Sequence, residues 1–153
     1  MEERGRDVRA VYVGAALPDI DPAGTAERGN STSEDELQMY LKMIGGFDGA
    51  LDGGEMKGII AAVRHDMLEH ARFFEKSYRE PLFKLRTPLH CILGECDIIT
   101  NAQEERVADW KFFALDVRSS KISQGNHYFV KHEAMQLANL LAVEHPLDTI
   151  AKR

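Results

Sequence analysis

The stretch PLHCILGECD at positions 88–97 predicts a buried strand that ends at a glycine and leads directly to an acid. Leu89 to Leu93 form an almost uninterrupted apolar run, which is typical of a strand covered on both faces. Pro88 introduces the run and Gly94 ends it. Asp97 lies just past the C-terminal end, where functional groups gather in parallel sheets, and it is therefore a candidate site residue.

Two further segments have the composition of strands, namely Val8 to Val13 and Val117 to Ser123. Helical patterns lie between the three strands, and this order favours a parallel sheet with right-handed crossovers. The predicted fold class is therefore α/β, with about three parallel strands and crossover helices. His127 follows the third strand as Asp97 follows the second, so we expect the two side chains to converge.

Helical patterns fill most of the chain between the strands. Ser33 and Glu36 form a capping box at the start of a short amphipathic helix. Apolar residues at helical spacing from Met56 to Tyr78 predict a longer helix with a break near its middle. Positions 19–32 contain hardly any apolar residue and are predicted to form a long, mobile loop. The other predicted helices are one that Asn101 caps and that runs through Phe113, and a last one marked by Ala134, Leu137, Ala138 and Leu141.

Composition limits the classes of function. The 153 residues, 44% of them hydrophobic, suit one globular domain with a real core. The 19 basic and 25 acidic residues give a formal charge of -6 without a basic block, so we expect no nucleic-acid partner. The apolar stretches are too short for a membrane span or a signal peptide, and a cytoplasmic protein without a membrane partner is expected.

Cysteines and histidines give no indication of a metal or a cofactor. Cys91 and Cys96 fit neither a CxxC motif nor a disulfide framework, and reduced, mostly buried thiols are expected. His65 and His70 miss the spacing that places two ligands on one helix face. The prediction is therefore that the protein needs no metal and no cofactor.

Two motifs carry a resemblance to a known family. LGECD at 93–97 and GNHYF at 125–129 resemble the acid and histidine motifs of type II thioesterases from nonribosomal peptide and polyketide synthesis, which belong to the α/β-hydrolases. Arg64-His65-Asp66 resembles the segment that closes the lid region of that family. The resemblance implies a partial α/β-hydrolase domain over residues 1–153, covering only the family's C-terminal part, with a lid-like helical insertion at about 33–80.

The resemblance also implies roles for the candidate pair. His127 would transfer a proton from the nucleophile to the leaving thiol, and Asp97 would hold the imidazole in its productive tautomer. The structural alternative is that an isolated histidine after a strand is a packing residue and that an aspartate at a strand end is a turn or cap residue. The matched pair in its context favours the catalytic positions.

The chain departs from the family at the nucleophile. No G-x-S-x-G elbow occurs in the sequence, although this motif carries the serine of α/β-hydrolases ahead of the acid and the histidine. Cys96 adjoins the acid and is a poor substitute, while Ser31 and Ser33 suit capping roles better. Asn126 replaces the second glycine of the histidine motif, a mild change because asparagine tolerates left-handed backbone.

The family's strand order implies that Val8 to Val13 would normally pair with the nucleophile strand. Without that partner the segment becomes an apolar edge. A complementary N-terminal hydrolase half, self-association through this edge, or a longer parent protein would each cover it.

Three hypotheses follow. The first is part of an enzyme that hydrolyses acyl thioesters on an acyl carrier or peptidyl carrier protein bearing phosphopantetheine. The second is an inactive thioesterase-like module that binds such a carrier protein or an acyl chain. The third is a fragment of a general α/β-hydrolase acting on other acyl groups, which the motifs at 64–66 and 126–129 disfavour.

Overall fold

The computed structural model describes residues 8–46, 53–80 and 83–144. Strands alternate with helices along the chain, and three helices lie between the first and the second strand. The elements are β1 (Val11–Gly14), α1 (Pro22–Ser31), α2 (Glu34–Met43), α3 (Gly53–Arg79), β2 (Leu89–Gly94), a 3-10 segment (Asn101–Phe112), β3 (Val117–Ile122), α4 (Phe129–His132) and α5 (Ala134–Glu144). No helix in these ranges is long and apolar enough to cross a membrane.

The three strands form a parallel sheet in the order β1-β2-β3, which confirms the predicted fold class. Leu89 pairs with Val11 on one side and with Val117 on the other. All six residues of β2 are buried, as the continuous apolar run predicts for a central strand. The first strand begins at Val11 rather than at Val8 and forms one edge of the described sheet.

The two faces of β2 pack against different elements because successive side chains of a strand point to opposite sides. Leu89, Cys91 and Leu93 pack with Val107 of the 3-10 segment. Ile92 packs on the other face with Ile122 and Phe129, and this cluster is covered by leucines of α5. The central strand thus has a packed layer on each side.

The prediction of a mobile loop at 19–32 was wrong, because this segment contains helix α1. The side chain of Asp21 caps the helix by accepting a hydrogen bond from the Gly24 N–H at 3.1 Å. Pro22 stands in the first turn, where its missing N–H costs nothing. The polar composition of this segment therefore led to a loop prediction, although Asp21 and Pro22 form a proper helix N-terminus.

Helix α3 stabilises α1 through one side chain. The Arg64 guanidinium donates to the carbonyl oxygens of Gly29 and Thr32, the latter at 2.8 Å. These carbonyls lie near the C-terminal end of α1, where carbonyl groups have no partner inside the helix. Gly29 is buried against Leu68, so the two helices approach closely at that point. The contacts that order α1 come from a helix residue more than 30 positions away.

Two other predicted helices differ from the structure. Helix α3 runs without interruption from Gly53 to Arg79, so the expected break near its middle is absent. The helix predicted from Asn101 is a 3-10 segment with a kink at Gln103, and Thr100 precedes it without a side-chain capping bond. The Thr100 hydroxyl donates to the Asp97 carboxylate instead. The Ser33–Glu36 capping box is present as predicted.

Candidate functional site

Asp97 lies three residues after β2 and is 1% exposed. Its Oδ1 accepts a hydrogen bond from the Ile99 N–H at 2.9 Å. Its Oδ2 accepts one from the Thr100 hydroxyl at 2.7 Å. A buried carboxylate needs such donors to offset its lost hydration, and they also fix the direction in which its oxygens point.

His127 lies in the loop between β3 and α4, and its Nδ1 is 3.0 Å from Asp97 Oδ2. Because a carboxylate accepts hydrogen bonds, this contact places the proton of the neutral imidazole on Nδ1 and leaves Nε2 as the basic nitrogen. No described residue forms a hydrogen bond with Nε2. The structure therefore brings the two predicted residues together, with 24% of the His127 side chain exposed.

The acid loop and the histidine loop are joined by several contacts. The Cys96 N–H donates to the Gly125 carbonyl at 2.9 Å. A Cβ added to Gly94 would lie 2.3 Å from the same carbonyl oxygen, so no larger residue fits there. Glu95 Oε2 accepts hydrogen bonds from the Ser123 hydroxyl at 3.1 Å and from the Gln124 N–H at 3.0 Å. The position of His127 relative to Asp97 thus depends on a compact pair of loops.

The Glu95 contacts change its acidity. The backbone N–H of Gln124, the Ser123 hydroxyl and the charge of Lys121 together lower the pKa of Glu95 below its ordinary value of 4.5. Gln124 itself has a φ of +57°, in the left-handed region, so the Glu95 contact supports a strained turn.

Asn126 has a different role from the one expected of it. Among the described residues other than glycine, left-handed backbone occurs at Gln124 and Ala15, so Asn126 does not adopt the left-handed conformation that asparagine tolerates. The Asn126 side chain instead accepts a hydrogen bond from the Tyr128 N–H at 2.8 Å. This bond fixes the backbone on the far side of His127.

A cavity of about 650 Å³ lies between helices α1 to α3 and the C-terminal ends of the strands. His127 forms part of its wall, so the imidazole faces a space large enough for a small organic ligand. The apolar part of the wall comes mainly from α2, α3 and the loop after β1. It includes Ala15, Leu17, Leu37, Leu41, Ile44, Val63, Met67 and Ile99.

The end of helix α2 lies directly against the histidine loop. A Cβ added to Gly46 would lie 3.3 Å from the Tyr128 ring, and one added to Gly45 would lie 2.9 Å from the Asn126 side chain. Tyr40, on α2, lines the cavity with His127. Burial raises the pKa of Tyr40, and the nearby charge of Asp97 raises it further. The helical region therefore lies against the loop that carries His127 and shares a cavity wall with it.

The remaining predicted candidates have local roles. Ser33 caps α2 through its contact with Glu36, as the capping interpretation expects, whereas the Ser31 hydroxyl donates to the Glu27 carbonyl at 2.9 Å within α1 and caps nothing. Cys91 is buried, but Cys96 is exposed, which corrects the expectation of mostly buried thiols. Within the three described ranges, no group of three His, Cys, Asp or Glu residues could hold a metal ion.

Sequence reasoning missed three residues of the site. Thr100 was overlooked because a hydroxyl three residues after an aspartate is common in turns and caps, and Glu95 because exposed acids are common. Tyr40 lies within the amphipathic helix predicted after Ser33, and no local signal distinguishes it there. The one available signal was the proximity of Thr100 and Glu95 to Asp97 in sequence.

The geometry is that of a parallel α/β fold in which Asp97 and His127 meet at neighbouring strand ends. No family model and no curated protein sequence matches the chain. Solved structures do match it, and the chain shares the fold of type II thioesterases from secondary-metabolite pathways. The RedJ thioesterase from the prodiginine pathway of Streptomyces coelicolor is 20% identical, with a TM-score of 0.55, over 90% of this chain and 54% of that one.

Two further structures show the same likeness. BorB, the type II thioesterase from the borrelidin cluster, is 18% identical with a TM-score of 0.56, over 92% of this chain and 56% of its own. ClbQ, from the colibactin NRPS/PKS pathway, is 14% identical with a TM-score of 0.54, and the match covers 92% of this chain and 58% of ClbQ. The chain therefore spans little more than half the length of these proteins, and at these identities the likeness concerns the fold.

Proposed function

We propose that the chain supplies the acid, the histidine and the acyl-binding cavity of a thioesterase that acts on acyl groups carried by phosphopantetheine. The observation that carries the proposal is the hydrogen bond between Asp97 and His127 at the wall of a 650 Å³ cavity. The carrier would be an acyl or peptidyl carrier protein of a nonribosomal peptide or polyketide synthase. The cytoplasm is the proposed location.

In the proposed reaction, His127 Nε2 accepts the proton of a serine hydroxyl as that oxygen attacks the thioester carbonyl. The protonated imidazole then returns the proton to the departing thiolate. Asp97 stabilises the imidazolium by accepting the hydrogen bond from Nδ1–H. Water repeats the sequence on the acyl-enzyme and releases the carboxylic acid.

The serine and the oxyanion donors would come from a complementary polypeptide or from another part of a longer protein. β1 is the edge at which an additional parallel strand would join the sheet. In this proposal residues 1–153 form one partial domain, and the helices within 33–80 act as a lid over the acyl group. Self-association through β1 is the competing way to cover this edge.

The test is reconstitution. The G-x-S-x-G-bearing polypeptide that the proposal requires is mixed with this chain and supplied with an acyl-loaded carrier protein, and thiol release is measured. We expect hydrolysis only in the mixture, with a loss of about a thousandfold or more for His127→Ala and Asp97→Asn. His132→Ala, which changes an exposed histidine, is the control and should keep the rate. An unchanged rate in His127→Ala would refute the proposal.

A second candidate function is a module that binds a carrier protein or an acyl chain without hydrolysis. The observation that favours it is that no described serine, threonine or cysteine forms a hydrogen bond with His127. This function predicts carrier-protein binding to the chain alone, with an affinity that does not change in Asp97→Asn or His127→Ala. Binding and thiol release measured in one titration distinguish the two functions.

A further inference from the structure

A group of apolar side chains is exposed near the N-terminal ends of β2 and β3, at the edge of the sheet opposite to Asp97 and His127. Every exposed phenylalanine in the described part of the chain belongs to this group. Large exposed apolar side chains that lie together mark a contact surface. The members of this apolar patch are Phe73, Phe83, Leu85, Phe112 and Leu115.

Backbone hydrogen bonds and ring contacts hold the apolar patch together. The Leu85 N–H donates to the Phe113 carbonyl at 2.8 Å, and the Leu115 N–H donates to the Leu85 carbonyl at 3.0 Å. The Phe113 ring centroid lies 6.4 Å from that of Phe73 and 5.0 Å from that of Phe112. A surface that is already ordered loses little conformational entropy when a partner binds.

Three cations accompany the apolar patch. Lys84 and Arg86 stand on either side of Leu85 in the sequence, and Lys111 directly precedes Phe112. All three cations are exposed, and none of them forms an ion pair with a described residue. Their charges are therefore available to a binding partner.

The acidic side chains nearby do not cancel this positive charge. Asp116 follows Leu115, but its carboxylate is 2.9 Å from the Arg118 guanidinium and is already paired. Glu80 is exposed and leaves one acid against three cations. The whole chain has a formal charge of -6, so the sign of this surface is opposite to that of the molecule. Such a surface attracts acidic groups.

We propose that the apolar patch and its three cations bind an acidic amphipathic segment of a partner protein. Aromatic side chains and arginine are the residues in which protein interfaces are enriched. Apolar side chains of the segment would cover the phenylalanine rings, and its carboxylates would pair with the cations at the rim. Asp97 and His127 follow the opposite ends of the strands, so a partner bound here leaves their edge of the sheet free.

Charge disfavours the two other ways of covering the apolar patch. A second copy in a symmetric contact would bring the three cations against the same three cations. Anionic membranes recruit proteins through clusters of about four to eight basic residues, which is more than this surface has. The formal charge of -6 adds repulsion from such a membrane. An acidic segment of a protein therefore fits the surface best.

The test uses two synthetic amphipathic helices of equal length, with the same leucine face. The remaining positions are mostly glutamate in one peptide and lysine in the other. Each peptide is titrated into the full chain labelled with nitrogen-15, and backbone amide signals are followed by NMR. We expect the glutamate peptide to shift the signals of residues 83–86 and 111–115. It should bind at least about tenfold more tightly than the lysine peptide, since three ion pairs at the rim each contribute modestly.

Variants separate the contributions of charge and of apolar contact. Lys84→Glu combined with Arg86→Glu should invert the order of the two affinities. Phe83→Ser should weaken the glutamate peptide about tenfold, because a ring that the peptide covers is lost. Phe83 is fully exposed in the free chain, so the fold should not change, which circular dichroism checks. Lys57→Glu and Val143→Ser alter exposed residues elsewhere and should leave both affinities unchanged.

Several outcomes would overturn the proposal. They are absence of binding, equal affinity for the two peptides, signal changes outside the apolar patch, and an order of affinities that the combined charge reversal leaves unchanged. Binding to phosphatidylserine vesicles without binding to the peptide would assign the surface to a membrane instead. A dimer in sedimentation that Phe83→Ser dissociates would assign it to a second copy. None of these results bears on Asp97 and His127, so the proposed function is tested separately.

Discussion

Glu95 Oε2 accepts a hydrogen bond from the Gln124 N–H at 3.0 Å, and this bond stabilises the left-handed backbone conformation of Gln124. Glu95 lies two residues before Asp97, and Gln124 lies three residues before His127. The contact therefore joins the two loops that carry the candidate pair. Its strength depends on the charge of the carboxylate, because an ionised oxygen is the better acceptor.

This contact predicts a dependence of stability on pH. The pKa of Glu95 is lower in the folded chain than its ordinary value of 4.5, chiefly because of the Gln124 N–H. The ionised form therefore stabilises the fold above pH 4.5, and this contribution is lost as the pH falls through the lowered pKa. Urea unfolding of the wild type and of Glu95→Gln should differ at about pH 7 and converge towards about pH 3. A constant difference over this range would contradict the prediction.

Gly94→Ala should separate the acid and histidine loops. The added methyl group would lie 2.3 Å from the Gly125 carbonyl oxygen and 2.6 Å from that of Asn126, and backbone atoms cannot move aside cheaply. We expect a loss of about 1–3 kcal/mol in the free energy of unfolding. Gly58→Ala is the control, because a Cβ there meets nothing within 4 Å inside helix α3, and a gain of about 0.5–1 kcal/mol is expected. Chemical denaturation measures both, and equal effects would refute the argument.

Thr100→Val tests whether the hydrogen bond from the Thr100 hydroxyl stabilises the buried Asp97 carboxylate. Thr100 is 1% exposed and donates to Asp97 Oδ2, so valine keeps the shape and removes one donor from a buried carboxylate. The expected loss of stability is about 1–3 kcal/mol. Ser31→Ala removes a hydroxyl that bonds to the backbone on the exposed face of α1, and its effect should stay within about 0.5 kcal/mol. An unchanged free energy of unfolding in Thr100→Val would show that the Asp97 carboxylate does not need this hydroxyl as a donor.

Phe129 is the largest fully buried side chain among the described residues and packs against Ile92 and Ile122 behind the histidine loop. Phe129→Ala should lower the free energy of unfolding by about 3–5 kcal/mol, since it removes a buried ring and leaves a cavity. Val130→Ala, at a neighbouring position that is 58% exposed, should have little effect. Thermal unfolding of the two variants provides the comparison, and similar melting temperatures would contradict the assigned packing.

The sheet and the candidate pair were predictable because their signals are local. The apolar run of β2 indicates a central strand by itself, and parallel strands direct their C-terminal loops to one edge. Asp97 and His127 could thus be placed together although 30 positions separate them. The Ser33–Glu36 capping box is also local, and its prediction is confirmed.

Helix α1 was not predictable from its own composition. Its few apolar residues indicate a loop, and only Asp21 and Pro22 indicate a helix start. The stabilising contact comes from Arg64 on α3. The sequence of α1 itself cannot indicate a donor from so distant a segment. The role of Thr100 was not predictable for a different reason. Its hydroxyl reaches the Asp97 carboxylate only because of the turn that the chain makes between the two residues.

The two cysteines differ in a way that has a practical consequence. Cys91 is fully buried, and burial raises the pKa of its thiol to about 11, whereas Cys96 is exposed next to Asp97. A maleimide reagent near neutral pH should therefore react at Cys96 and spare Cys91, because the thiolate is the reacting species. The unmodified chain thus offers one natural attachment point for a fluorophore beside the acid loop, from which ligand entry and the arrival of a second polypeptide can be followed in real time.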